Sequence, residues 1–78
     1  MKKIRLLNGT ILKEGKKYNW GGHTESLYTS YTWHSDKCKI VKISDEFITI
    51  YDYDEDAEYD YTIKQLAEIQ ATFKRRIL

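Results

Sequence analysis

The 78-residue sequence predicts a mainly β fold. The expected architecture is a small antiparallel β fold with a bent strand and a C-terminal α-helix over residues 63–76, all within one domain spanning 1–78. Three observations carry that prediction. Phe47-Ile48-Thr49-Ile50-Tyr51-Asp52-Tyr53 is dense in β-branched and aromatic residues, which suit a pleated surface. Asn8-Gly9 sits between two short apolar runs, where it supplies the positive φ angles of a tight hairpin. Finally, Lys37-Cys38-Lys39-Ile40-Val41-Lys42-Ile43 alternates but slips phase between Ile40 and Val41, the mark of a bulge or bend by which small barrels turn corners.

In chain order, Lys3 to Leu7 and Thr10 to Lys13 are expected strands around the Asn8-Gly9 turn, and Gly15 marks the next turn. Asn19 to His34 is expected to be a long loop. Its only aliphatic residue is Leu27, Gly21-Gly22 supply bend, and Trp20, Tyr28, Tyr31 and Trp33 supply rings. Within it Trp33 is expected in the core and Trp20 at the surface. Ser44-Asp45-Glu46 is a turn before the strand at 47–53, in which Ile48 and Ile50 share one face and Phe47, Tyr51 and Tyr53 the other. Asp54-Glu55-Asp56 forms the tip of a hairpin whose return strand alternates Ala57, Tyr59 and Tyr61 with Glu58 and Asp60. Thr62 to Gln65 has the spacing of a capping box, so a helix starts there. Ile63, Leu66, Ala67, Ile69 or Gln70, Phe73 and Ile77 then form one apolar stripe, and Lys74-Arg75-Arg76 close the last turn.

A chain this short buries only about 60–65% of the surface its unfolded form exposes. Its single cysteine, Cys38, excludes an internal disulfide and is expected to act as a small buried hydrophobe, so apolar packing must supply the stability. Reduced cysteine, and an N-terminal apolar run broken at Asn8-Gly9, predict a soluble, cytoplasmic protein. The absence of proline and the abundance of Lys, Ile and Tyr suggest an AT-rich bacterial or phage genome.

The net charge of +1 hides segregation: residues 2–17 carry six Lys or Arg against one Glu, whereas 45–60 carry eight Asp or Glu and no base. Tyr51 to Tyr61 alone packs six carboxylates and four phenols into eleven residues. Such a row can imitate nucleic-acid phosphates and occupy a basic groove on another protein; the plain alternative is a solvated hairpin that keeps the chain soluble and blunts an edge strand. Interleaved tyrosines favour the interface, because Tyr packs its ring and still finds a partner for its hydroxyl. The partner-binding set is therefore Tyr51, Asp52, Tyr53, Asp54, Glu55, Asp56, Glu58 and Tyr59. An alternative set for a nucleotide or nucleic acid is Trp20, His23, Tyr28, Tyr31 and Trp33, whose rings offer stacking faces. The plain reading of those rings is the core of an aliphatic-poor domain.

Other chemistries fail on spacing. An EF-hand loop begun at Asp52 would need Gly at its sixth position and Glu at its twelfth, where Ala57 and Ile63 stand. Zinc at His23, His34 and Cys38 needs a fourth ligand, and Asp36 would point oppositely to its neighbours. A Cys38–His34 nucleophile pair lacks an orienting third group, and Gly21-Gly22 lacks the Lys and following helix of a phosphate loop. Neither an enzyme, a cofactor nor a metal is expected. Lys2, Lys3, Arg5, Lys13, Lys16 and Lys17 can touch phosphates, but a pI near 7.8 is low for a dedicated nucleic-acid binder.

From Trp33 to Leu66 the chain resembles a Tudor-like small β-barrel. Trp33, Ile40-Val41-Lys42-Ile43, Ser44-Asp45, Ile48-Thr49-Ile50, Asp52-Tyr53-Asp54, Tyr59 and Leu66 occupy the places of that family's aromatic, strand, turn, second strand, Asp-Tyr-Gly step, third strand and closing Leu. The resemblance implies a small five-stranded bent antiparallel barrel that holds a methylated cation, an extended peptide or nucleic acid near aromatic residues, with Trp33 and Tyr53 as the cage-type rings. Asp54 stands where the family has Gly. The resulting expectation is a non-enzymatic binding module, a phage or mobile-element inhibitor that occupies a host protein through the acidic hairpin.

Overall fold

The computed structural model describes residues 2–75. Its elements are β1 (Lys3–Arg5), β2 (Ile11–Lys13), β3 (Lys17–Glu25), β4 (Ser30–Ile43), β5 (Ile48–Asp52), β6 (Ala57–Tyr61), α1 (Ile63–Glu68) and β7 (Thr72–Arg75). β1 and β2 form a two-stranded sheet, and the remaining five make an antiparallel sheet in the order β6-β5-β4-β3-β7. The mainly β expectation holds. Among the described residues no ladder joins β6 to β7, so both remain edges.

The β1–β2 hairpin forms where Asn8-Gly9 predicts it, with a wider turn. Leu6 N–H donates to Thr10 O at 2.7 Å and Gly9 N–H to Leu6 O at 3.0 Å, with Gly9 at φ 91°. Leu6 and Leu12 enter the core from this hairpin. The segment after β2 then runs onto the inner part of β4: Gly15 N–H donates to Ile40 O, and Ile40 N–H to Lys16 O. The phase slip read at Ile40-Val41 is the observed register shift between Ile40 and Lys42 on the β4–β5 ladder.

The expected loop from Asn19 to His34 is instead the long hairpin β3–β4, turning only at Ser26 to Thr29. Glycine depresses strand propensity, but here it is what the packing demands. A Cβ on Gly22 would lie 2.7 Å from the Trp33 indole, and one on Gly21 would lie 2.7 Å from Trp33 O. At this point β3 shifts register against β4, and Ser35 takes a left-handed φ of 56°. The bend folds Trp33 over the glycine backbone.

Trp20, expected at the surface, is the largest fully buried side chain at 2% exposure. It meets Trp33 edge-on at 5.1 Å and Tyr61 at 5.9 Å, and stacks on Phe73 at 5.6 Å. Ile40, Ile43, Ile48, Ile50, Leu66 and Cys38 complete the centre. Ile48 and Ile50 share the inward face, as β5 alternation predicts.

The helix is shorter than predicted. Its start is as read: Gln65 N–H donates to Thr62 Oγ1 and Thr62 N–H to Gln65 Oε1, a complete capping box. Its end comes at Glu68. Gln70 adopts φ 52°, its N–H bonds Ala67 O, and Ala71 N–H bonds Leu66 O, which is the paired arrangement that ends helices in a left-handed residue. The chain then re-enters the sheet as β7 along β3, placing Phe73 on Trp20. Lys74 and Arg75 therefore lie on a strand and close no helical turn. Phe73 is packed inward against the core, and Arg76 and Ile77 fall outside the described residues.

Candidate acidic hairpin

β5 and β6 pair from Ile48↔Tyr61 to Asp52↔Ala57, and Tyr53 to Asp56 form the turn. The geometry is organised from below by Asp52. It is 2% exposed, so its place in the predicted binding surface is wrong. Strand alternation from Ile48 and Ile50 turns its side chain inward. There the Trp20 indole N–H donates to Oδ2 at 3.0 Å, and the backbone N–H groups of Asp54 and Glu55 donate to Oδ1 at 2.8 and 3.0 Å. A carboxylate holding several N–H donors is a strong local anchor. Two further bonds tie the turn to β4: Tyr53 N–H to Lys37 O at 2.8 Å, and Lys37 N–H to Asp54 Oδ2 at 2.7 Å.

Above that anchor, Asp54, Glu55, Asp56 and Glu58 are exposed. Tyr51 donates its hydroxyl proton to Asp56 Oδ1, which holds the Tyr51 proton more firmly than usual; burial and the charges of Asp56, Tyr53 and Glu58 act the same way. Thr49 donates to Asp60 Oδ1 at 2.7 Å. The sole ion-pair contact among the described residues is His23 Nε2 to Glu25 Oε1 at 3.7 Å, so no Lys or Arg there neutralises the turn. From the basic segment, Lys17 Nζ lies 5.7 Å from the centre of the Tyr53 ring.

Asp36 on β4 completes the cluster, a role no spacing in the sequence revealed. It lies opposite Trp20 in register and brings a carboxylate oxygen within 4.8 Å of those of Asp52 and Asp54. Partial burial first, then the charge of Asp52 and a hydrogen bond to it, then Asp54 and Glu55, push its pKa up to about 6. In its protonated form Asp36 is the donor of that bond. These oxygens are the one grouping of metal-ligand type among the described residues, and Asp52 and Asp54 already accept N–H bonds.

The rings divide into two groups. Tyr51 and Tyr53 meet edge-on at 4.8 Å on the turn's outer side. Trp33, Trp20 and Tyr61 belong to the inner cluster, which reaches the surface through Tyr31, stacked on Trp33 at 5.8 Å, and Tyr59, 6.2 Å from Tyr61. Trp33 and Tyr53, the cage rings implied by the Tudor resemblance, thus sit in different clusters. Tyr59 and Tyr61 keep their protons above the usual phenol range, chiefly through burial; Glu55, Asp52 and Tyr31 add to the effect at Tyr59.

Of the alternative ligand set, the fold joins Trp20, Trp33 and Tyr31 in one ring cluster but buries both indoles. Trp20 and Trp33 are core residues, His23 bonds Thr32 Oγ1 at 2.5 Å, and only Tyr28 and Tyr31 stand exposed. Compared with protein-family models, with curated proteins and with solved structures, the chain gives no match.

Proposed function

We propose that the chain is a non-enzymatic binding module whose β5–β6 turn seats on a basic surface of another protein. The observation that supports this reading is the combination of a held backbone with unneutralised charge. Asp52 fixes the turn through Trp20 and two backbone amides, while Asp54, Glu55, Asp56 and Glu58 face solvent with no cation among the described residues paired to them. A turn whose backbone is already held loses less entropy on docking, and an uncompensated cluster raises the on-rate toward a cationic partner. Tyr59 and Tyr31, part-exposed beside the acids, add ring surface of the kind that anchors interfaces.

The scaffold is read as a Tudor-like bent barrel, with the β1–β2 hairpin lying across the open side of the five-stranded sheet. No helix among the described residues is long and apolar enough to cross a membrane, and the proposed setting is the cytoplasm. A small acidic-faced module of this kind fits a phage or mobile-element inhibitor that occupies the phosphate-binding groove of a host protein.

The test is affinity capture from a lysate of the encoding organism or its host, comparing the native chain with Glu55→Lys/Glu58→Lys. Neither side chain makes a hydrogen bond within the described residues, so the variant keeps the fold. A protein enriched by the native chain at low salt, released as salt rises and missed by the variant, is the expected result. Identical capture by both chains removes the hairpin from consideration.

A further inference from the structure

We infer that the molecule carries a second, oppositely charged site: a groove between the β1–β2 hairpin and the β3–β7 edge of the sheet that binds consecutive phosphate groups. The groove encloses about 550 Å³ and is lined by Lys3, Lys13, Lys16, Lys17 and Arg75 around Ile11 and Tyr18. That volume lies within the usual range for small-ligand sites.

Topology explains why five cations converge. Register sets Lys3 directly opposite Lys13 on the β1–β2 ladder, and Arg75 opposite Tyr18 on the β3–β7 ladder, with Lys17 the neighbour of Tyr18. Lys17 also lies directly opposite Lys39 on β4. Like charges facing each other across strands destabilise a sheet, so two such pairs are a standing penalty that a bound anion would relieve. The nearest acid in sequence gives no relief. Glu14, the one carboxylate among residues 2–17, is turned away and accepts the Ile43 N–H at 2.8 Å. The groove floor adds a neutral donor: the Tyr18 hydroxyl oxygen accepts from Lys13 N–H at 2.9 Å, which leaves its own proton to give.

Linked phosphates suit this lining better than carboxylates or bases. Several cations around one small volume match a ligand with more than one charge in a short span, as in tripolyphosphate or a nucleic-acid backbone. Tyr18 is only 5% exposed, so the groove offers no open ring on which a base would stack, and recognition rests on phosphate. The site is distinct from the acidic turn and shares no lining residue with it. Lys17, beside Tyr53, is where the two surfaces meet.

The test uses fluorescence anisotropy with a labelled oligothymidine of about 12 nucleotides in about 50 mM salt, with sodium tripolyphosphate as competitor and poly-glutamate as the carboxylate control. The native chain is expected to bind, and Lys13→Gln/Lys16→Gln to bind about tenfold more weakly with a salt slope reduced by about 1 to 2. Lys42→Gln/Lys64→Gln removes the same charge from exposed positions outside the groove and should change affinity less than about twofold, because screening confines the effect to nearby charges. Displacement by tripolyphosphate supports the site with free polyphosphate as ligand. Binding of the strand that tripolyphosphate fails to displace supports it with nucleic acid as ligand. No binding of either probe up to about 1 mM, equal binding of poly-glutamate, or equal losses in the two variants would overturn the proposal.

Discussion

The β3–β4 and β5–β6 hairpins look like each other's opposites in sequence and exchange roles in space. The first, rich in glycine and tryptophan, has the composition of a ligand loop, yet its root supplies the centre of the core. Its tip stands open to solvent, with Leu27 and Tyr28 at 87% and 92% exposure. The second reads as a solvated acidic ribbon, yet the last residue before its turn is a buried carboxylate that ties the tip down. The side of the surface on which a residue lies is set by register against its neighbours, not by its type. Trp20 and Asp52 face each other inside because both strands alternate around the same core, and the indole N–H gives the carboxylate its reason to be there.

The largest effect that would break this comparison is at Trp20. Trp20→Ala should cost about 3 to 5 kcal/mol, which leaves a domain this small largely unfolded, whereas Tyr28→Ala should stay within about 0.5 kcal/mol. Urea unfolding followed by tryptophan fluorescence reads both. A small cost at Trp20 would mean that the β3–β4 root is not the core.

Next comes the anchor itself. Asp52→Ala strands the Trp20 indole and two backbone amides, at about 2 to 3 kcal/mol, while Glu55→Ala one turn residue away should fall within about 0.5 kcal/mol. Amide exchange at Asp54 and Glu55 should accelerate in the Asp52 variant. Unchanged protection would show that the turn is held by something other than its carboxylate.

The smallest effect concerns pH. Asp36 titrates near 6 in the fold against 3.8 when unfolded, so the folded state holds the extra proton between those values. Its favourable contribution is complete below about pH 4 and lost as pH rises through about 6. Asp36→Asn should therefore flatten stability across that window and gain on the order of 1 kcal/mol at pH 7, a figure reduced for solvent screening at a partly exposed site. Parallel pH profiles for both chains would contradict the coupling of Asp36 to Asp52.

Much of this fold is legible in the sequence, for local reasons. Asn8-Gly9, the slip at Ile40-Val41, the alternation of β5 and β6 and the Thr62–Gln65 box each fix a short segment by its own geometry. The failures lie where tertiary contact overrides local preference. Gly21 and Gly22 read as loop residues because glycine weakens strands, and only the indole laid across them explains their presence. The helix seemed to run to residue 76 because neither Gly nor Pro stops it; Gln70 took the left-handed position unannounced, and Phe73 gained more from stacking on Trp20 than a further turn of helix would offer. The acidic turn was legible as charge, but Asp36 and the inward role of Asp52 were not, since both depend on partners 16 to 32 residues away.

The most direct test of the acidic turn as the working surface sets the two hairpin tips against each other. For the protein captured by the native chain, affinity is measured by titration calorimetry for Glu55→Lys/Glu58→Lys and for Leu27→Ser/Tyr28→Ser. The account predicts a loss of about a hundredfold or more in the first and less than about threefold in the second. Loss of binding in the Leu27/Tyr28 variant with affinity retained in the charge reversal would contradict it.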